Sequence, residues 1–193
     1  MKLNNLTKGL LLAIMLTPVS AMAEDSSKAL ASFAKLNIQP WLQDPLILGE
    51  VRKQNEVSKD FSEAEIIALD EKWRAVVEAG TDPLIKKVIS GKLADFLRKK
   101  NEGSGGAIAE VIVMDAKGLN VAATQAPSDF WQGDEPKFQN SAGKGPEGVD
   151  YGAAERDDST GDYIAQVSYP IVDPETLTVI GAVTVGVRTA ALD

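Results

Sequence analysis

The sequence changes character at Asn101, and that change constrains the fold more than any other feature. Upstream, apolar residues recur at spacings of three and four, as along the buried stripe of a helix; downstream, strand-like apolar runs are separated by turn residues. Gly103-Ser104-Gly105-Gly106 marks the boundary as a flexible joint. It lacks the preceding strand and the lysine that a phosphate-binding loop requires. A block of helices followed by a block of antiparallel strands predicts an α+β domain with the helices packed on one face of the sheet.

Capping chemistry sets the expected helix boundaries. Ser26 or Ser27 starts a helix through Leu36, with Leu30, Phe33, Ala34 and Leu36 on its apolar side and Pro40 beyond it. Asp44-Pro45 places a side-chain acceptor before a proline at the first helical position, ahead of Leu46, Ile47, Leu48 and Val51. Ser62 and Glu65 form a capping box before Ile66, Leu69, Trp73, Val76 and Val77, a run that Gly80 ends. Asp82-Pro83 opens a fourth helix carrying Leu84, Ile85, Val88, Ile89, Leu93, Phe96 and Leu97. The two Asp-Pro-Leu-Ile occurrences follow from shared capping physics and mark no repeat.

Four strands are predicted after the joint, over 111–114, 119–123, 163–171 and 179–187. The first two flank Asp115-Ala116-Lys117-Gly118, where the carboxylate can accept from the turn backbone and the glycine can take positive φ. Between the second and third strands lie about 40 residues rich in Gly, Pro and charge. A connection that long in a single domain is a place to look for a site, and it alone is left to cover the second face of the sheet.

Residues 1–23 have the form of a cleavable export signal: Lys2 and Lys8, an apolar stretch over 9–16, then Ala21-Met22-Ala23. The stretch is short of the roughly 20 residues of a membrane-spanning helix. A mature domain over 24–193, free in the periplasm, is the expectation, with no membrane insertion after cleavage. The sequence contains no cysteine, so neither disulfides nor a lipidated cysteine enters this reading. The net charge of −8, with 11 acidic and 4 basic residues over 132–193, disfavours nucleic acid and anionic lipid as partners.

Four stretches in order resemble the Cache family of extracellular PAS-like sensor domains, in its single, PDC-type form. They are Val111-Ile-Val-Met-Asp115-Ala-Lys-Gly118-Leu-Asn-Val121; Ser128-Asp-Phe-Trp-Gln-Gly-Asp-Glu135 with Lys137 and Phe138; Gln166-Val-Ser-Tyr-Pro-Ile-Val-Asp173; and the strand over 179–187 with Gly181 and Gly186. The run from Glu65 to Arg74 resembles the helical cap of periplasmic members. The resemblance implies a PAS-like antiparallel sheet with a long N-terminal helix and helical cap behind it. It also implies a small-molecule pocket on the other face, closed by the connection. Two departures accompany it. Asp173-Pro-Glu-Thr-Leu-Thr lacks the glycine the family carries before its last strand, so that turn is expected to differ. Members usually continue through a membrane helix into a signalling module, whereas this sequence stops at Asp193, so a stand-alone secreted form is expected.

Candidate ligand-binding residues follow from position and type. Phe130 and Trp131 are adjacent large aromatics in a polar segment, suited either to a ligand wall or to plugging the connection onto the core. Gln132, Asp134 and Lys137 can add polar contacts or lie on the surface. Gln166 and Ser168 share one face of their strand, a pocket face or a solvated one, while Ala165, Val167 and Tyr169 take the other. Tyr151 and Tyr163 can close a pocket with hydroxyls or serve structure. The expected arrangement has Trp131 over a ligand held against Gln166 and Ser168. Asp157, Asp158 and Asp162 faintly suggest a calcium loop, but their spacing fails the EF-hand pattern and an acidic turn is the simpler reading.

With neither histidine nor cysteine, the usual general base, thiol nucleophile and zinc ligand sets are absent, so no metal or other cofactor is expected. An enzyme would have to rest on carboxylates such as Asp134 and Glu135 as a hydrolase pair. The reading favoured is a binding module, not an enzyme. Its ligand would be a small carboxylate, amino acid or amide, and its bound state would be read by a membrane receptor or other partner. The alternative is an interaction protein without ligand.

Overall fold

A computed structural model describes residues 19–157 and 160–192, with side chains from Ser27 onward. The export features at Lys2, Lys8 and 9–16 lie outside the described residues, as does Asp158.

Helix α1 (Val19–Asn37) begins upstream of the expected serines. Its buried stripe is Leu30, Ala34 and, just past the end, Ile38, a spacing of four throughout. Leu36 sits off that stripe and is exposed, contrary to its expected place on the apolar side. In α2 (Pro45–Ser58) the Asp44 carboxylate accepts from the Leu46 amide at 2.9 Å. In α3 (Glu63–Val76) the capping box closes in both directions. The Ser62 amide and hydroxyl hold the Glu65 carboxyl below the usual range.

The fourth helix is two helices. α4 (Pro83–Ile89) and α5 (Lys92–Gly103) are broken at Ser90-Gly91, where Gly91 takes φ +98°. The apolar spacing runs unbroken across the joint, so local periodicity does not reveal it. The turn lets the chain round the β2 edge.

Five strands form one antiparallel sheet: β1 (Ile108–Asp115), β2 (Asn120–Ala123), β3 (Asp150–Arg156), β4 (Tyr163–Val172) and β5 (Val179–Arg188), in the order β2-β1-β5-β4-β3. β3 adds a strand to the four expected. It is largely exposed and reads Asp-Tyr-Gly-Ala-Ala-Glu-Arg, with neither the β-branched residues nor the apolar alternation that mark a strand; pairing to β4 makes it one.

The β1–β2 turn behaves as its residues dictate. Asp115 is fully buried; one oxygen accepts from the Lys117 and Leu119 amides at 2.9 Å each, the other from the Ser58 hydroxyl at 2.7 Å. Gly118 takes φ +82°, and a Cβ there would fall 2.5 Å from the Gly133 backbone, so the connection packs directly on the turn. At the β4–β5 turn, where the family glycine is missing, Leu177 adopts φ +60° with its side chain in solvent.

Two apolar clusters flank the sheet. Val111, Val113, Val167, Ile171, Val183, Val185 and Val187 meet α1, α2 and α5 on one side. Ile112, Met114 and Ala182 meet Trp73 and Ile66 of α3, Ile85 and Val88 of α4, and Phe130 on the other. The α+β class, antiparallel sheet and long N-terminal helix are as expected. One detail differs: α3 and α4 leave the face of the other helices, so the connection does not cover the second face alone. The hydrophobic reason is that β1 is buried on both sides, which one helical layer cannot accomplish.

Candidate functional site

The connection over 124–149 is fastened in its first half to α3. Asp70, buried in that helix, accepts from the Phe130 amide at 2.8 Å and the Trp131 amide at 3.0 Å, while Arg74 bridges Asp70 at 2.6 Å and Asp129 at 2.8 Å. The two carboxylates raise the Arg74 pKa. Phe130 is buried and stacks on Trp73 with ring centroids 5.5 Å apart. The Trp131 indole donates to the Lys117 carbonyl at 2.8 Å, and its backbone bridges to Leu119. Gln132 is buried, its amide donating to the Asp129 carbonyl at 2.9 Å. Phe130 fills the core beside Trp73 and Trp131 is half-buried against the β1–β2 turn, the arrangement a plug would have. Residues 130–132 lie along the β1–β2 turn and not over Gln166.

The second half of the connection makes a cleft. Helix α6 (Pro136–Gln139) stands beside β3 and β4, and between them lies a space of about 360 Å³. Gln166 and Glu110 form its floor, the Gln166 amide donating to the Glu110 carboxylate at 3.0 Å. Between them in register is Gly186, where a Cβ would come within 2.9 Å of Glu110 and 3.1 Å of Ile164. The absence of a side chain there keeps the floor low. Lys137 lines one wall with its ammonium 3.0 Å from Glu135. Asp150, Glu155 and Arg156 of β3 line the other wall, Asp150 accepting from the Asn140 amide at 3.2 Å. Five acidic and two basic residues belong to the lining, counting Asp157. Such a lining offers hydrogen-bond partners to a small polar molecule, and it suits ligand groups that donate.

Of the expected site residues, Lys137 and Gln166 therefore line one cleft. Ser168 shares the Gln166 face as alternation requires, but it is fully buried and paired with the Thr184 hydroxyl at 2.7 Å. The single turn Ala142–Lys144 packs over β4 and β5 there. Asp134 is exposed and outside the lining. Asp134 and Glu135 do not converge as a hydrolase pair would; only Glu135 faces the cleft, and Lys137 holds it. Tyr151 and Tyr163 lie across from the cleft. Tyr151 pairs in register with Val167, on the α1 side, where its hydroxyl is 3.4 Å from that of Tyr169. Burial first, and the Tyr151 hydroxyl second, raise the Tyr169 pKa. Tyr163 has the parity of Ala165 and Val167, so the alternation that assigns Gln166 to the cleft assigns Tyr163 away from it.

Glu110, Asp150, Glu155 and Arg156 are not among the expected residues, and Glu135 is among them only as half of a hydrolase pair. Glu110 could have been found by extending the first strand one residue backward in phase with Ile112. The β3 residues carried no such signal. In the acidic turn, Asp157 accepts from the Thr160 amide at 3.1 Å and Asp162 receives Arg188 at 2.8 Å. Among the described residues, no group of three acidic side chains is placed to hold a metal ion.

No family model and no curated protein matches the chain. Solved structures do. The sensor domain of the Vibrio cholerae histidine kinase DctB is 14% identical with a TM-score of 0.35, over 90% of this chain and 58% of that one. The Escherichia coli DcuS sensor domain is 18% identical with a TM-score of 0.36, over 65% and 92%. The ligand-binding domain of the Pseudomonas aeruginosa PAO1 amino acid chemoreceptor PctC, in complex with GABA, is 12% identical with a TM-score of 0.42, over 90% and 61%. The chain thus spans less than two thirds of the DctB and PctC domains. These likenesses carry no ligand or partner over to this chain. Its own topology has the α+β architecture that the Cache resemblance implies, and among the described residues no helix is long and apolar enough to cross a membrane.

Proposed function

We propose that this chain is a Cache-type sensor domain, exported to the periplasm by residues 1–23. It binds a small polar metabolite in the cleft between α6 and the β3–β4 face and presents the changed surface to a membrane receptor or other partner. The observation that carries this reading is the cleft itself: a concave space of about 360 Å³ on the second face of the sheet, floored by Gln166 and Glu110 and walled by the connection.

The connection is divided in a way that suits sensing. Its first half is latched to α3 through Asp70, whereas α6 is a single turn whose leading residue, Glu135, provides no side-chain cap. A ligand bridging Gln166 and Lys137 draws α6 toward the sheet, and the closed form gains population in proportion to its differential affinity. Small carboxylates, amino acids and amides all remain within the ligand class, with donor-bearing molecules favoured by the carboxylate-rich walls.

Native mass spectrometry of protein purified from periplasmic extract tests this. The expected result is a retained small molecule on wild type that is lost from Gln166→Ala. A bare wild-type mass, together with no change of melting temperature across a panel of those three compound classes, overturns the reading.

A further inference from the structure

A second cleft, of about 250 Å³, lies where α2, the α4–α5 joint and the β2 edge meet. Its apolar floor is Leu93, Val121 and Ala122. Lys53 from α2, Lys87 from α4 and Lys92 from α5 converge on its rim, with Glu50 as the one carboxylate in the lining. Three cations gathered from three helices repel one another, and the chain has acidic residues in surplus to pair them, at a net charge of −8. Little of that surplus is used here. Lys53 reaches Glu50 only at 3.7 Å, Lys87 donates to the neutral amide of Gln54 at 2.9 Å, and Lys92 has no ion pair among the described residues. Gly91 leads α5 into the cleft without a side-chain cap, so the first-turn amides of a 12-residue helix add donors at the same place.

We propose that this cleft binds a small organic oxyanion, its charge among the three lysines and its apolar part on Leu93 and Val121. The lining is opposite in sign to that of the α6 cleft, so the two would take different molecules, and this proposal does not depend on the sensing site.

Backbone amide NMR of the full domain, titrated with inorganic phosphate and separately with butyrate, tests it. The expected result is a saturable shift of the amides of residues 91–94 by both probes, beyond that of sodium chloride at equal ionic strength. Lys53→Gln/Lys92→Gln is expected to weaken both by about tenfold, since two charge contacts are lost. All three lysines are exposed, so that variant keeps its fold, which the unperturbed core amides verify. Gln166→Ala leaves these shifts unchanged, separating this site from the other cleft. Shifts no larger than those of chloride, or undiminished in the double variant, overturn the proposal.

Discussion

Asp70 governs the connection more than any other residue, because one buried carboxylate satisfies two backbone amides and a guanidinium. In Asp70→Ala the Phe130 and Trp131 amides are stranded in an apolar site. The expected cost is about 3 kcal/mol, the range for buried donors that lose a charged acceptor. Urea denaturation measures it, and a loss under about 1 kcal/mol would mean that water replaces the carboxylate. Leu177 presents the opposite case. At φ +60° its Cβ is strained while its side chain is 71% exposed, so it gives up backbone energy without packing in return. Leu177→Gly is expected to raise stability by roughly 1 kcal/mol, read as a higher melting temperature.

At the scale of elements, the β4–β5 turn is fastened to α2 through Asp173 and Arg52, 2.7 Å apart. The Arg52 guanidinium, with the Glu175 amide behind it, lowers the Asp173 pKa to about 2. The unfolded chain titrates this carboxyl near ~4. The contribution is therefore complete above that value and is lost as pH falls toward about 2. Asp173→Asn is expected to be less stable than wild type at neutral pH, with the difference shrinking across that window in acid-denaturation curves. A constant difference would contradict the ion pair. Legibility also varied by element. Caps at Asp44, Ser62 and Asp82 and the Asp115–Gly118 turn could be read because their chemistry is local. The Ser90-Gly91 break and β3 could not, because the first answers to the β2 edge and the second to pairing with β4. Strand alternation was legible for Gln166, Ser168 and Tyr163 alike. A hydroxyl suggests a pocket contact, but register with Val167 for Tyr151 and strand parity for Tyr163 put both on the other face.

At the scale of the whole molecule, export and ligand binding can each be measured. Periplasmic fractionation with N-terminal sequencing is expected to give a chain starting at Glu24, and recovery of full-length protein in the membrane pellet would contradict the leader reading. Part of the site was legible, since Lys137 and Gln166 meet across one cleft. The aromatic pair was not, because a sequence cannot distinguish a ring that covers a ligand from one that stacks on a distant tryptophan. That distinction yields the most direct test. The compound that most raises the melting temperature in a screen of small carboxylates, amino acids and amides is titrated calorimetrically into wild type, Gln166→Ala and Trp131→Phe. Gln166→Ala is expected to bind about tenfold more weakly, the worth of a hydrogen bond at the cleft floor, with Trp131→Phe binding as wild type but melting lower. Unchanged affinity in Gln166→Ala with binding lost in Trp131→Phe would place the ligand under the aromatic pair and contradict the cleft.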